Sequence, residues 1–198
     1  MNVATQKPLR SHQPLKVINL FGAPGTGKSA AAGGLYEEMK FHHQSVEMSR
    51  EYAKYLIIAG REWQREEEQL YLFAKQHHEL FILRGQYEFA ITDSPLPLTA
   101  FYANPTVTPK EFYPCVRAYF ETFQNINYFL ERDFKDPSQV FEDRGRVHNR
   151  EQSIQNMTEQ RRFLENQNIP YTLISMTPGV RPHQLIFEDL RKRGLLSC

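Results

Sequence analysis

The sequence has few cysteines, little net charge and no long hydrophobic segment. Among its 198 residues are two cysteines, Cys115 and Cys198, too few for a disulfide framework and without the C-x-x-C spacing of many metal sites. The net charge of +1 does not point to a large anionic partner. No apolar segment approaches the ~20 residues of a membrane helix, and residues 1–15 lack the apolar centre of a signal peptide. These features predict a cytoplasmic protein with no membrane partner and with a flexible N-terminal tail over residues 1–15.

Strand-like and helix-like segments alternate along the rest of the chain. Five short segments predict strands, at about 16–21, 45–49, 88–93, 126–130 and 170–175, and the first of them is largely apolar. Helical patterns lie between and after them, at about 27–41, 52–87, 116–123, 151–166 and 182–193. Three prolines predict an irregular loop over residues 104–114. Such alternation predicts an α/β fold, with a parallel sheet covered by helices on both faces in a single domain over residues 16–198.

Residues 22–29 match the phosphate-binding loop pattern G-x-x-x-x-G-K-[S/T], between the first predicted strand and the first predicted helix. Glycines allow backbone N–H groups to face phosphate oxygens without a Cβ in the way, and the helix that follows adds its positive dipole end. Lys28 is predicted to reach the β- and γ-phosphates, and the Ser29 hydroxyl to coordinate Mg²⁺. The whole loop is therefore predicted to bind ATP: Gly22, Ala23, Pro24, Gly25, Thr26, Gly27, Lys28 and Ser29.

Charged residues follow the second and third predicted strands, at the edge where open α/β sheets bind their ligands. Asp93 lies at the end of the third predicted strand, where an acid can hold Mg²⁺ or accept the proton of an attacking hydroxyl. An Asx turn before Pro95 is the structural interpretation of Asp93, and it is compatible with the favoured catalytic role. Arg50 and Glu51 follow the second strand and are candidates for contacting the acceptor, with Glu51 as a second candidate base. Their alternative is an exposed helix start, where a glutamate is stabilised by the helix dipole.

The segment from about 131 to 150 is polar and basic, without helical or strand periodicity. In phosphoryl transfer, an arginine on a lid can neutralise the charge of the transferred group while the lid excludes water. Arg144 and Arg146 flank Gly145, a suitable pivot, and are the predicted catalytic arginines of such a lid. Arg132, at its start, is predicted to bind the nucleotide. Nearby acidic residues leave an ordinary solvated loop as the alternative.

The acceptor pocket is predicted between the Arg50–Glu51 corner, the Asp93–Ser94 corner and residues 96–117. In-line transfer requires the acceptor to lie beyond the γ-phosphate, facing the ends of strands two and three. Arg50 and Arg117 offer cations for a phosphate on the acceptor, which favours a nucleotide-like molecule over a plain sugar. Because the net charge is +1, a small molecule is the preferred acceptor and a nucleic acid the second.

Several short motifs occur in the order seen in small P-loop kinases: residues 22–29, Ser49-Arg-Glu-Tyr52, Gln76, Thr92-Asp-Ser94, Tyr128-Phe-Leu130 and Gly145-Arg146. Over residues 16–175 the chain resembles the AAA-type group that includes the nicotinamide-riboside kinase domain of bacterial NAD regulators and many phage-encoded nucleotide-kinase-like proteins. The resemblance implies a P-loop NTPase three-layer sandwich with sheet order 2-3-1-4-5, ATP with Mg²⁺, and phosphate transfer to a hydroxyl.

By position, the resemblance implies that Lys28 and Ser29 hold the nucleotide and that Asp93 serves as metal ligand or base. It also implies that Arg50 and Glu51 face the acceptor, and that Arg144 and Arg146 belong to the lid. Ser94-Pro95 follows the acid where many nucleoside kinases carry an arginine. That departure leaves the acceptor's identity open.

Three functions are compatible with these residues. The leading hypothesis is a kinase for a nucleoside- or nucleotide-like acceptor, with a hydroxymethyl-pyrimidine in phage DNA as a variant that would need a basic groove. The second is an ATPase switch whose lid movement is sensed by a partner. The third is a nucleotide-binding regulatory module without an acceptor, which Asp93 and the lid arginines together disfavour.

Overall fold

The computed structural model describes residues 14–61, 67–133, 150–177 and 179–196. It contains one five-stranded sheet, formed by β1 (Lys16–Phe21), β2 (Val46–Ser49), β3 (Phe89–Thr92), β4 (Gln124–Arg132) and β5 (Thr172–Met176). Every neighbouring pair is parallel and the order is β2-β3-β1-β4-β5. The predicted α/β fold and its strand order are therefore confirmed.

The central strands are largely apolar because both of their faces are covered by helices. All four residues of β3 are buried, as are the last five of β1. Asn19 is the polar exception in β1, and its side-chain amide donates hydrogen bonds of 2.9 Å to Oδ1 of Asn125 and to Oδ1 of Asn127 on neighbouring β4. These bonds satisfy a polar group that would otherwise be costly to bury.

Seven helices are described in these four ranges: α1 (Lys28–Phe41), α2 (Tyr52–Ile58), α3 (Gln69–Leu83), α4 (Pro97–Phe101), α5 (Phe112–Phe120), α6 (Arg150–Asn166) and α7 (Pro182–Lys192). None of them is long and apolar enough to cross a membrane. In its described part, residues 52–61 and 67–87, the predicted helical pattern contains two helices, α2 and α3, and Gly60 with a φ of 69° follows α2. Residues 104–114 are only partly irregular, since α5 begins at Phe112 with Pro114 in its first turn, where proline is tolerated.

Two hydrophobic clusters, one on each face of the sheet, form the core. Alternate side chains of β1 point to opposite faces, so that Ile18 belongs to one cluster and Val17 to the other. The Ile18 face is covered by α1 and α7, and the Val17 face by α3 to α6. On the first face the hydroxyl of Tyr128 donates a 2.7 Å hydrogen bond to Asp189 of α7. Burial, followed by this bond, raises the pKa of Tyr128.

The adjacent glycines of α1 have different surroundings. A Cβ on Gly34 would lie 2.4 Å from the Nδ1 atom of His183 in α7, whereas a Cβ on Gly33 would have nothing within 4 Å. We expect Gly33→Ala to raise the free energy of unfolding by about 0.5–1 kcal/mol, because alanine is the better helix former. Gly34→Ala should lack this gain, because His183 must move. Urea denaturation compares the two, and an equal gain in both would contradict the close approach of α1 and α7.

Candidate nucleotide-binding site

The loop between β1 and α1 packs closely against β4. Gly22 has a φ of 138°, and a Cβ at this residue would lie 2.6 Å from the backbone oxygen of Leu130. Gly27, with a φ of 87°, immediately precedes α1, and its carbonyl accepts the first helical hydrogen bond from Ala31 N at 2.9 Å. Both positions therefore require glycine, because an L side chain would be strained at either φ and would clash at Gly22.

Hydrogen bonds to its own carbonyl groups shape this loop. The Thr26 hydroxyl donates to Ala23 O at 2.9 Å, and Thr26 N donates to the same oxygen at 3.2 Å. Arg132, the last residue of β4, donates from Nη1 to Gly25 O at 2.7 Å. Arg132 was predicted to bind the nucleotide, and the structure brings its guanidinium to the backbone of the predicted phosphate loop.

Lys28 folds back over the loop. Its ammonium donates to Gly22 O at 2.6 Å and to Ala23 O at 3.0 Å. A phosphate group is a stronger acceptor for an ammonium than a neutral carbonyl. The side chain is only partly buried and lies at the start of α1, where backbone N–H groups also favour an anion.

Ser29 and Asp93 meet at the carboxyl edge of the sheet. The Ser29 hydroxyl donates a 2.6 Å hydrogen bond to Asp93 Oδ2. The contact arises because β1 and β3 are neighbours, so that the residues following them lie side by side. Asp93 is 7% exposed, and its other oxygen, Oδ1, is buried without a hydrogen-bond partner among the described residues. A buried carboxylate oxygen without a partner is costly unless a ligand completes it.

The second corner lies where β2 and β3 end. Arg50 is exposed, and Glu51, the residue before α2, is half-buried and makes no side-chain cap. Ser94 is half-buried, and its N–H donates to the Thr92 hydroxyl at 3.1 Å. The Thr92 side chain thus shapes the turn after β3, while the Asp93 carboxylate accepts from Ser29 instead of forming the Asx turn considered as its alternative.

Arg117 lies near the amino ends of the strands, away from the carboxyl ends where Asp93 lies. It belongs to the end of α5, just before β4 begins, and its Nε donates to Glu121 at 2.7 Å. Its Nη1 donates to the backbone oxygen of Gln167, just after α6 ends. Glu121 precedes β4 and Gln167 precedes β5, so Arg117 lies at the amino ends of the strands. Asp93 follows β3 and therefore lies at the carboxyl ends. The prediction that Arg117 lines the acceptor pocket is therefore corrected, because this side chain holds α5 against the end of α6.

The lid arginines lie outside the described residues. Arg144 and Arg146 belong to the range 134–149, so their catalytic role and the lid itself stay predictions. The tail over residues 1–15 and the domain boundary at residue 16 likewise stay predictions.

A family model described as an AAA domain matches residues 17–180. The chain belongs to this AAA-domain family. No curated protein matches the chain.

Solved structures with a similar fold include a thymidylate kinase, a deoxyadenosine kinase and the NadR protein. The thymidylate kinase of Ehrlichia chaffeensis is 14% identical with a TM-score of 0.59, and the match covers 91% of this chain and 99% of that one. The deoxyadenosine kinase of M. mycoides with bound dATP is 16% identical with a TM-score of 0.54, over 88% and 99% of the chains. The NadR protein in complex with NR is 18% identical with a TM-score of 0.63, over 92% of this chain and 53% of that chain. These likenesses show a small P-loop kinase fold.

A buried amide in this AAA domain joins the ends of β2 and β3. Gln76 of α3 is 3% exposed, and its Nε2 donates to the Ser49 hydroxyl at 2.7 Å and to the Thr92 hydroxyl at 3.3 Å. The resemblance included Gln76 but assigned it no role. Its sequence signal was a glutamine on the apolar side of a helix, between Phe73 and Leu80.

A second buried amide, which was not predicted from the sequence, contacts the nucleotide loop. Gln160 of α6 is fully buried, and its Oε1 accepts a hydrogen bond from Gly22 N at 3.3 Å. The signal that could have found it is a row of uncharged polar residues at helical spacing, Ser153, Asn156 and Gln160, in a helix with few apolar residues.

Proposed function

We propose that this AAA domain is an ATP- and Mg²⁺-dependent kinase that transfers the γ-phosphate of ATP to a hydroxyl of a nucleoside- or nucleotide-like acceptor. The observation that carries the proposal is the contact of Ser29 with Asp93, whose second oxygen is buried and without a partner among the described residues. A phosphate-binding loop alone suits any P-loop protein. A buried carboxylate beside that loop adds a metal ligand or a proton acceptor, which phosphate transfer to a hydroxyl needs.

The residues present fit a magnesium ion. Mg²⁺ prefers oxygen ligands and is usually held by one or two protein groups together with phosphate oxygens and water. Ser29 and Asp93 supply a hydroxyl and a carboxylate, and no cluster of three or more His, Cys, Asp or Glu occurs in the described part of the chain. Phosphate oxygens and water would therefore complete the coordination. When bound, the metal neutralises part of the phosphate charge.

Lys28 and Arg132 would hold the phosphates together with the backbone N–H groups of residues 22–29. Lys28 exchanges its hydrogen bonds with Gly22 O and Ala23 O for charge-assisted bonds to the β- and γ-phosphates. Arg132 supports the turn at Gly25 and adds a positive charge beside it. The lid arginines, Arg144 and Arg146, would add charge at the transferred group.

The acceptor would lie at the corner formed by Arg50, Glu51 and Ser94. Gln76 ties the ends of β2 and β3 together, so this corner is held in place before the acceptor binds. Asp93 and Glu51 are the two candidate bases, and Asp93 offers the buried oxygen without a partner. The exposed cation of Arg50 favours an acceptor that carries a phosphate. A hydroxymethyl-pyrimidine in DNA, as implied by the resemblance to phage kinases, is the second acceptor class.

The destination of the phosphate tests this function. The purified chain is incubated with γ-labelled ATP and Mg²⁺ in separate pools of nucleosides, nucleoside monophosphates, plain DNA and hydroxymethylated DNA. We expect label in a nucleoside or nucleoside-monophosphate pool. Label in DNA alone would contradict a small-molecule acceptor but would still support kinase activity. Steady phosphate release with no labelled acceptor would contradict the kinase and favour an ATPase switch, and ATP binding without turnover would favour a regulatory module.

Lys28→Ala should weaken ATP binding by at least ~10-fold, because it removes the ammonium that pairs with the β- and γ-phosphates. The fold should survive, since the side chain is partly exposed and its ammonium donates to the backbone oxygens of Gly22 and Ala23. Calorimetric titration with ATP measures the change. Lys40→Ala is the matched control, because it removes an exposed ammonium from the last turn of the same helix. Equal affinities in both variants, with intact circular dichroism, would refute the role of the loop.

A further inference from the structure

A buried polar face of α6 lies against the nucleotide loop and has no part in the chemistry proposed above. It consists of Ser153, Asn156 and Gln160, here called the α6 polar stripe, which follow one another at a spacing of three and four residues. Ser153 and Gln160 are 0% exposed and Asn156 is 7% exposed. Burying uncharged polar side chains costs free energy unless they are hydrogen-bonded. A helix that served packing alone would carry apolar residues on this face.

Hydrogen bonds fix the orientation of the Gln160 amide. Its Nε2 donates to Asn156 Oδ1 at 2.7 Å and to the Tyr102 hydroxyl at 3.0 Å. Tyr102 in turn donates to Asn156 Oδ1 at 3.2 Å. Because both amide protons of Gln160 are engaged, Oε1 is directed at the N–H of Gly22, 3.3 Å away. A rotated amide would place its NH₂ group against that N–H, and the network thus selects one orientation.

Gly22, the first residue of the loop, is held from three directions. Gln160 accepts from its N–H, Lys28 donates to its carbonyl at 2.6 Å, and the backbone oxygen of Leu130 fills the space where a Cβ would stand. When Lys28 turns to a phosphate, the carbonyl loses that donor. The bond from Gly22 to Gln160 is independent of Lys28 and remains.

We propose that Gln160 is a positioning residue that holds the nucleotide loop ready for phosphate through the N–H of Gly22. The inference rests on the proposed binding of ATP at this loop. Gln160 acts through the backbone and touches no substrate. A loop that is already ordered pays less conformational entropy when ligand binds, so the amide raises nucleotide affinity.

The test compares Gln160→Leu, which removes the amide at similar size, with Tyr102→Phe, which removes a hydroxyl that bonds Gln160 and Asn156 in the same network. Two quantities are measured on folded protein: the Kd for ATP with Mg²⁺, and the exchange rate of the Gly22 amide proton without nucleotide. We expect Gln160→Leu to raise Kd by ~5- to 20-fold and to speed exchange by at least ~10-fold, as the loss of one buried hydrogen bond predicts. Tyr102→Phe should change both by clearly less than Gln160→Leu does, even if its Tm falls, because the Gln160 amide keeps its oxygen and its 2.7 Å bond to Asn156.

Equal changes of Kd and exchange rate in both variants, or no change in Gln160→Leu, would overturn the inference. The α6 polar stripe would then have a packing role alone. If Gln160→Leu does not fold, Gln160→Met keeps a long flexible side chain without the amide and takes its place. The amide exchange of Gly22 needs no nucleotide. A wild-type chain that binds no ATP would therefore refute the proposed function, whereas unchanged exchange with normal ATP binding would refute the role of Gln160 alone.

Discussion

Asp93→Asn is expected to lower kcat by at least ~10²-fold while ATP binding stays largely intact. Asparagine keeps an oxygen that can accept the hydrogen bond from the Ser29 hydroxyl, so the local contact survives. It loses the negative charge that holds a metal or accepts a proton. Steady-state kinetics with the labelled acceptor and calorimetric titration with ATP separate the two effects. A loss confined to kcat would place Asp93 in the transfer step.

Glu88→Gln is the matched control for this variant. Glu88 precedes the same strand, β3, at the opposite edge of the sheet, and pairs with Lys16 at 2.8 Å near the surface. Its removal should leave kcat unchanged, because an exposed ion pair contributes little. If Asp93→Asn lowered the Tm and left the rate per folded molecule at the wild-type value, Asp93 would be structural and the assignment would fail.

Arg144→Ala and Arg146→Ala are expected to reduce the transfer rate, at least one of them by ~10²-fold or more. Arginines that approach the transferred group act mainly in the transition state, so kcat should fall more than ATP affinity. Hydrogen exchange over residues 134–149 should slow when ATP and acceptor are both bound.

Arg162→Ala is the control for the lid arginines, since Arg162 is exposed on α6. Its transfer rate should match that of the wild type. Wild-type rates in all three variants, with the same exchange in the presence and absence of ligands, would return residues 131–150 to the solvated-loop alternative.

The sheet and the nucleotide loop could be predicted because their signals are local. Short apolar segments identify strands buried on both faces, and a glycine-rich loop between a strand and a helix has a well-defined shape. The position of Asp93 at the end of β3 followed from the same pattern. Its contact with Ser29 needed the strand order, which came from the resemblance and is confirmed by the pairing of β1 with β3.

The remaining features depend on tertiary neighbours that a sequence pattern does not contain. In the sequence, Gln160 and Gln76 look like any other glutamine in a helix. Only the fold places Gln160 at Gly22 and Gln76 at the ends of β2 and β3. α4 was not predicted from the sequence, although Pro97 suits a first helical position. Arg117 was misplaced because α5 starts earlier than expected and carries it to the other edge of the sheet.

Thermal or urea unfolding of the wild-type chain with increasing ATP and Mg²⁺ tests most directly whether residues 22–29 and Asp93 form a nucleotide site. A ligand that binds only the folded chain raises the free energy of unfolding by RT ln(1 + [L]/Kd), which is about 2.7 kcal/mol at 100 times Kd. We predict this rise for ATP with Mg²⁺, with one ATP bound per chain. A folded chain whose free energy of unfolding does not change with ATP, and which shows no saturable binding, would contradict a nucleotide site at residues 22–29 and Asp93.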